Sequence, residues 1–468
     1  MSIISLIQEL LNNFNSILSL ESLLYLEPAM INYGDDMILK IYGAYLSAID
    51  LEYKKSIERF EKYIVKETKE VSKLTYLGWV TYNETRYIDR ETKKSFVYLR
   101  NVLGMIPYQR MTEYAEYKLI NYAKENNMSQ AARNALRGNI VSRSLVSKKM
   151  AKLNGAQHEE IKRKSDTPEV LYIEMDEIHA NLQDKNSNGK SKNHICPCAI
   201  VHEGHVDELS KRKVLKNARH FASATLNYRQ LWDVIYDYVD KRYDIDKIKF
   251  LFVSGDGASG IKDYKDVLPN AIYVFDKFHY RRDLAYLFKT DKDLISLADD
   301  YLRNDRKDDF KTLVKAQIQL YPKSEKYMLD KQNLLINNIH GIKNQKHEFY
   351  KCPCAMEGHV SNQYARYITS SPFAFSLTGL ENKLKLLVMQ ANKIELTYDG
   401  YLEMKYKENE YIQIVNNMKK ITNKNVKLKL IKNEIKDYNK SYKLIKTIDP
   451  LINNIINNLL SFNNAKTI

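Results

Sequence analysis

Acidic side chains interrupt three stretches of this chain that otherwise read as buried strand or helix. LYIEMDEIHA (residues 171–180) has the pattern of a buried strand yet carries Glu174, Asp176 and Glu177. FLFVSGDG (250–257) is an apolar strand ending in Asp256, and MEGHVSNQYARY (356–367) sets Glu357 at the start of a predicted helix. Buried carboxylates are unfavourable unless they are paired or hold a cation. Their oxygens are the hard donors that Mg2+ or Mn2+ takes in preference to His or Cys. Two such ions, about 3.5 to 4 Å apart, can activate the attacking oxygen and stabilise the leaving oxygen of a phosphodiester. Asp176, Asp256 and Glu357 are therefore the candidate catalytic and metal-binding triad.

FDKFHYRR (275–282) forms a second constellation, in which Asp276 and His279 support the site and His279, Arg281 and Arg282 grip a phosphate or a DNA strand end. The plainer alternative is a helix-capping Asp beside a satisfied His. Cys196/Cys198 and Cys352/Cys354 make two CPC triplets. Four thiolates can hold a structural Zn2+, but this spacing is tighter than usual for zinc, and buried free thiols are the competing reading. The repeated CPCAIVHEGHV and CPCAMEGHV also create a rival third acid, Glu203 with His202 and His205. Glu357 is preferred because it precedes a helix, whereas Glu203 falls in a strand-to-strand turn.

The elements that must position these groups begin after a polar linker at 154–168. Predicted strands at 170–183, 195–201 and 214–221 are followed by a helix at 226–242, a strand at 248–254 and a strand at 271–275. A charged helical insertion fills about 283–345. That order is the order of a ribonuclease-H-like α/β domain, a mixed sheet flanked by helices, here spanning 168–376.

Ahead of it, residues 1–67 read as helices suited to packing or dimerisation, and 68–110 as a small antiparallel sheet with a polar turn at 89–94. Residues 111–154 read as three helices with a break at Arg137, Gly138 and Asn139. This is a helix-turn-helix-like arrangement whose last helix offers Arg143, Lys148 and Lys149 to DNA; a basic solvated helix pair is the alternative. Residues 377–468 form a basic, Lys- and Asn-rich helical tail. The chain of 468 residues has 73 Lys and Arg against 58 Asp and Glu, a net charge of +15, which favours a polyanionic partner. With no run of about 18 apolar residues and no secretory signal pattern, a cytoplasmic protein that does not enter membranes is expected.

Four motifs in order, LYIEMDEIHANLQ, FVSGDGASGIK, PNAIYVFDKFHYRRDL and EGHVSNQYARYITSSPFAFS, closely resemble the bacterial insertion-sequence transposases of the ISLre-two type, relatives of Mutator-like transposases. The resemblance runs over about residues 67–392. It implies that Asp176, Asp256 and Glu357 are an Asp-Asp-Glu triad, that Asp276, Phe278 and His279 match the family's Asp-x-Phe-His element, and that Cys354 sits where the family tends to have a cysteine. The SSP tract at 370–372 also matches, whereas 373–375 depart from the family's more polar version. The function so implied is metal-dependent cleavage and strand transfer on double-stranded DNA, both terminal repeats and target, by a homo-oligomer. A non-catalytic DNA-binding descendant and a host nuclease are the alternatives.

Overall fold

In a computed structural model the described residues are 12, 23–103, 105, 109–153, 159–183, 191–207, 213–369 and 374–406. The expected first helix, the turn at 184–190, the SSP tract and the tail beyond residue 406 lie outside them. The described chain divides into two compact units, one up to Ala115 and one from Glu116 onward.

In the first unit, α1 (Leu23–Lys54) and α2 (Ile57–Lys62) precede an antiparallel sheet of β1 (Tyr63–Leu74), β2 (Trp79–Asp89) and β3 (Ser95–Val97), followed by α3 (Tyr98–Val102). Residues 63–67, expected to continue the helix, instead open β1, because YIVKETKEV alternates in and out of the surface as a strand does. Conversely, YLRNV, expected as strand, turns into α3. Helix α1 is tied to β2 by buried Asp50, whose carboxylate accepts the Thr85 N–H at 3.0 Å and its hydroxyl at 2.5 Å.

The second unit is built on a five-stranded sheet: β4 (Val170–Gln183), β5 (Ser191–His202), β6 (Arg219–Ala222), β7 (Phe250–Gly255) and β8 (Ile272–Phe275), in the spatial order β6-β5-β4-β7-β8. The first three run antiparallel in succession, and β7 and β8 add parallel to β4. The third strand is shorter than the predicted 214–221 and starts later, with Leu215 in an isolated bridge to His205 outside it. Covered on both faces, β4 is buried without a break from Leu171 to Asp176, as a central strand requires.

Side-chain alternation divides β4 between two cores. Leu171, Ile173 and Met175 face α7 (Tyr228–Arg242), which starts on an Asn227/Gln230 capping box and packs Leu231, Trp232, Ile235 and Val239 against them. Ile178, on the other face with Cys196, Cys198 and Ile200 of β5, meets Met356, Tyr364, Leu380, Leu384 and Leu387. Glu174 and Asp176 share that second face by strand period.

Between β7 and β8 lies the short α8 (Tyr264–Val267). After β8 come α9 (Lys277–Leu287), α10 (Lys292–Arg303), α11 (Lys307–Leu320), α12 (Glu325–Asn337) and α13 (Ile339–Asn344), which form the expected helical insertion around Leu284, Phe288, Leu302, Phe310 and Leu335. The insertion also protects the outer strand: Asn344 and Gln345 donate to the β8 carbonyls of Tyr273 and Phe275, each at 2.8 Å. Gly341 permits this approach, since a Cβ there would stand 2.8 Å from the Phe275 nitrogen.

The three helices expected to read DNA are α4 (Glu113–Glu125), α5 (Met128–Asn134) and α6 (Arg143–Met150). The break between the last two is a tight turn with Gly138 at φ +66°. Within the second unit they are fastened to α16 (Leu377–Ala391): Asn382 donates to the carbonyls of Met150 and Leu153, both at 2.8 Å, and buried Lys383 to those of Ala123 and Lys124. Two short helices, α14 (Met356–His359) and α15 (Arg366–Ile368), flank a π-helical turn at Val360–Ala365, and α17 (Tyr398–Lys405) ends the described chain.

Candidate active site

Asp176 lies in β4, and Asp256 lies one residue past the end of β7, which pairs beside it. The turn that follows is forced sharply away from the sheet. Gly257 takes φ +89°, and a Cβ there would come within 2.8 Å of the Asn338 side chain, so only glycine fits without strain. Each aspartate also receives a local backbone donor, Asp176 from the Glu177 N–H at 2.8 Å and Asp256 from the Ala258 N–H at 3.0 Å.

Helix α9 delivers the third group. Asp276 caps it, accepting from the Phe278 and His279 N–H groups, and its Oδ2 stands 2.5 Å from Nδ1 of His279. The capping reading and the supporting-site reading are thus both realised by one carboxylate. One ligand atom each of Asp176, Asp256 and His279 lie within 4.8 Å of one another. Glu357, in the first turn of α14, brings Oε2 to 3.9 Å from His279 Nε2. The fold therefore gathers Asp176, Asp256, His279 and Glu357, from two strands and two helices, into one cluster.

Burial pushes the Asp176 carboxyl up to about 6; Asp256 and Glu357 add to the rise, and the Glu177 N–H and His279 oppose it. For His279, burial favours the neutral ring, but Asp276 more than offsets this and the net displacement is upward. A buried carboxyl that resists ionising beside two other acids is short of positive charge.

Other sequence-singled residues fare differently. Glu203 is not a third acid for this cluster: its buried carboxylate accepts from Lys164 at 2.7 Å and from the Tyr243 hydroxyl at 3.2 Å. The four cysteines are not gathered into one group of metal-type ligands. Among the described residues, two groups of three metal-type ligands occur, Asp176/Asp256/His279 and Glu174/His202/Cys352, and neither joins the CPC pairs. Burial instead pushes the Cys196 thiol up to about 12 and raises Cys198, as expected of free thiols in a core. Arg281 and Arg282 are exposed on α9, and Arg143 and Lys148 on α6. Lys149 is not offered to DNA: its ammonium pairs with buried Glu116, which also accepts from Lys405 and Tyr401.

Sequence reasoning passed over Tyr228, whose hydroxyl donates to Glu177 at 2.7 Å. The two line a depression of about 370 Å³ with Asn227 and with Ala258, Ser259 and Gly260, which follow Asp256 in the chain. The only sequence signal was the unexplained third acid of LYIEMDEIHA. Among the described residues no helix is long and apolar enough to cross a membrane.

Fold and site together define an α/β protein with a carboxylate and histidine cluster just beyond the point where the parallel ladder of two strands ends. The chain belongs to the uncharacterised protein family UPF0236, whose model matches residues 19–407. Two curated relatives from Caldanaerobacter subterraneus subsp. tengcongensis, both named UPF0236 protein, are 26% and 25% identical, and each alignment covers 75% of this chain and 73% of the relative. The first of these names joins eleven locus designations and the second four.

Proposed function

We propose that the second unit is a ribonuclease-H-like catalytic core and that the chain is a DNA transposase of the insertion-sequence type, cutting and rejoining strands at element ends. The observation that carries the reading is the meeting of Asp176 and Asp256 with His279, whose Nε2 also stands 3.9 Å from helix-borne Glu357. The sheet order, three antiparallel strands and then two parallel ones, supports the core assignment. Relatives whose names join many loci of one genome are what an element that multiplies leaves behind.

The donor set suits two hard divalent ions, Mg2+ or Mn2+: carboxylate oxygens dominate, and the raised Asp176 carboxyl marks a cluster that bound cations would neutralise. When bound, such ions supply activation of the attacking oxygen and charge stabilisation at phosphorus. Asp176 and Asp256 would hold them from the strand side and Glu357 from the helix side. His279, oriented by Asp276, would donate from Nε2 to a phosphate oxygen. Arg281 and Arg282 on α9, and Arg143 and Lys148 on α6, would follow the DNA backbone. Work on two element ends at once calls for an oligomer, and the cytoplasm is the compartment.

The test is to incubate the full-length chain with DNA carrying the ends that flank its own gene, in Mg2+, in Mn2+ and in chelator. Nicking and strand transfer should need the metal. Activity that survives in Asp256→Ala rejects the assigned site; tight DNA binding without cleavage in either metal favours the non-catalytic descendant.

A further inference from the structure

Glu174 stands two residues before Asp176 on the same face of β4 and is 1% exposed. Its Oε2 accepts the Ala355 N–H at 2.8 Å, and its Oε1 lies 3.1 Å from Nε2 of buried His202. Ala355 is the N-cap residue of α14 and supplies no side-chain cap of its own. The helical run from Met356 through the π-helical turn to Ile368 is anchored by buried Met356, Tyr364 and Ile368, but its first-turn donors have no side-chain cap from Ala355. Here a carboxylate distant in sequence accepts the N–H that enters the helix, two residues before Glu357.

The clamp is itself braced. Gly204 N–H donates to Nδ1 of His202 at 3.1 Å, so the neutral ring carries its proton on Nε2 and donates it to Glu174. Cys352 Sγ completes a group within 4.8 Å of Glu174 and His202, and stands 3.2 Å from Nε2 of His205. That group has the composition of a metal site; a metal there would have to displace the proton shared by His202 Nε2 and Glu174.

We propose that Glu174 is a positioning residue: it fastens the segment carrying Glu357 to β4, so that the helix-side acid reaches the same ions as Asp176 and Asp256. The proposal rests on the metal-site reading above and adds to it a residue that touches neither metal nor DNA.

The test reads Mn2+ binding to the metal-free full-length chain by electron paramagnetic resonance, with no need of DNA or turnover. Glu174→Ala should weaken Mn2+ affinity by about tenfold or more, the range of outer-shell substitutions at metal sites. Glu174→Gln, which keeps an acceptor for Ala355, should restore most of it. In a Glu357→Ala background Glu174→Ala should add nothing, because the clamp acts through Glu357. In the unsubstituted chain the Ala355 amide should exchange slowly with solvent, which holds even if the alanine variant fails to fold. Unchanged Mn2+ affinity in folded Glu174→Ala, additive losses in the double variant, a rapidly exchanging Ala355 amide, or stoichiometric zinc lost on Cys352→Ser would each overturn the clamp. An unsubstituted chain that takes up no Mn2+ rejects the metal reading itself, and the clamp's purpose with it.

Discussion

Asp176 and Asp256 each lie two residues past the last pair of the β4–β7 ladder, Glu174 with Ser254. Every pair of the parallel ladder, from Val170 with Phe250 to Glu174 with Ser254, is separated by 80 residues, and so are the two aspartates just beyond it. A one-residue slip would turn either carboxylate to the opposite face of the sheet. The register of β4 against β7 is thus what converts two acids remote in sequence into one site, and Gly255 keeps the strands close, with a Cβ there only 3.1 Å from the Met175 carbonyl oxygen.

Removing either aspartate should abolish chemistry while sparing the fold. Asp176→Asn and Asp256→Asn are expected to lower metal-dependent strand cleavage by a factor on the order of 10³ or more, since a divalent ion held there would lose a carboxylate ligand. Circular dichroism should remain native, because neither carboxylate makes a long-range hydrogen bond that the amide cannot keep. Cleavage within tenfold of the unsubstituted chain would show that the acids are not the site.

Without metal, stability should fall as pH rises through the Asp176 titration. A carboxyl whose folded pKa exceeds its unfolded value binds its proton more tightly when folded, so its contribution is full at low pH and is withdrawn between about 4 and 6. A rise of about two units corresponds to at most about 3 kcal/mol. Urea melts in chelator at pH 4.5 and 7 should show the loss, Asp176→Asn should remove it, and excess Mg2+ at pH 7 should reverse it. Melts with the opposite slope at this residue would contradict the burial of the Asp176 carboxyl beside two other acids.

Asp276→Asn should disturb the site through His279 rather than through metal. Asparagine can still cap α9, but it withdraws the charge that raises the imidazole's affinity for protons. The His279 titration, followed by nuclear magnetic resonance in the metal-free chain, should move downward with helix content unchanged. A titration that stays put would mean the short contact between the two side chains carries no charge interaction.

Lys148 and Lys149 should separate cleanly. Lys149→Ala removes one of the cationic partners of the buried Glu116 carboxylate, and about 1–3 kcal/mol of stability should be lost. Lys148→Ala should leave the melt unchanged, weaken DNA binding uniformly across sequences and reduce the salt slope by about one. The reverse pattern in melts and salt titrations would return Lys149 to the DNA-facing surface.

Much of the second unit was legible from local signals. The run 170–183 matched β4 end to end, the apolar FLFVSG and IYVF stretches matched β7 and β8, and Asp276 was readable as a cap, because strand period, apolar runs and capping preference act over a few residues. Local signals also misled where a short stretch fits two states: YIV at 63–65 has enough apolar character to extend a helix, and only pairing with β2 makes it a strand.

What the sequence by itself determined was the inventory: which acids lie on which elements, in what order, and that a basic chain surrounds them. What only the tertiary structure decided was who meets whom. Glu203 and Glu357 have similar neighbours in the chain, yet one is consumed by Lys164 and Tyr243 while the other reaches His279. Lys149 and Lys148 are adjacent, yet one is turned inward to Glu116. The physical reason is common to all of them: a charged group's role is set by the partners within a few ångströms, and those partners are supplied by register and packing between elements that the chain separates by tens to hundreds of residues.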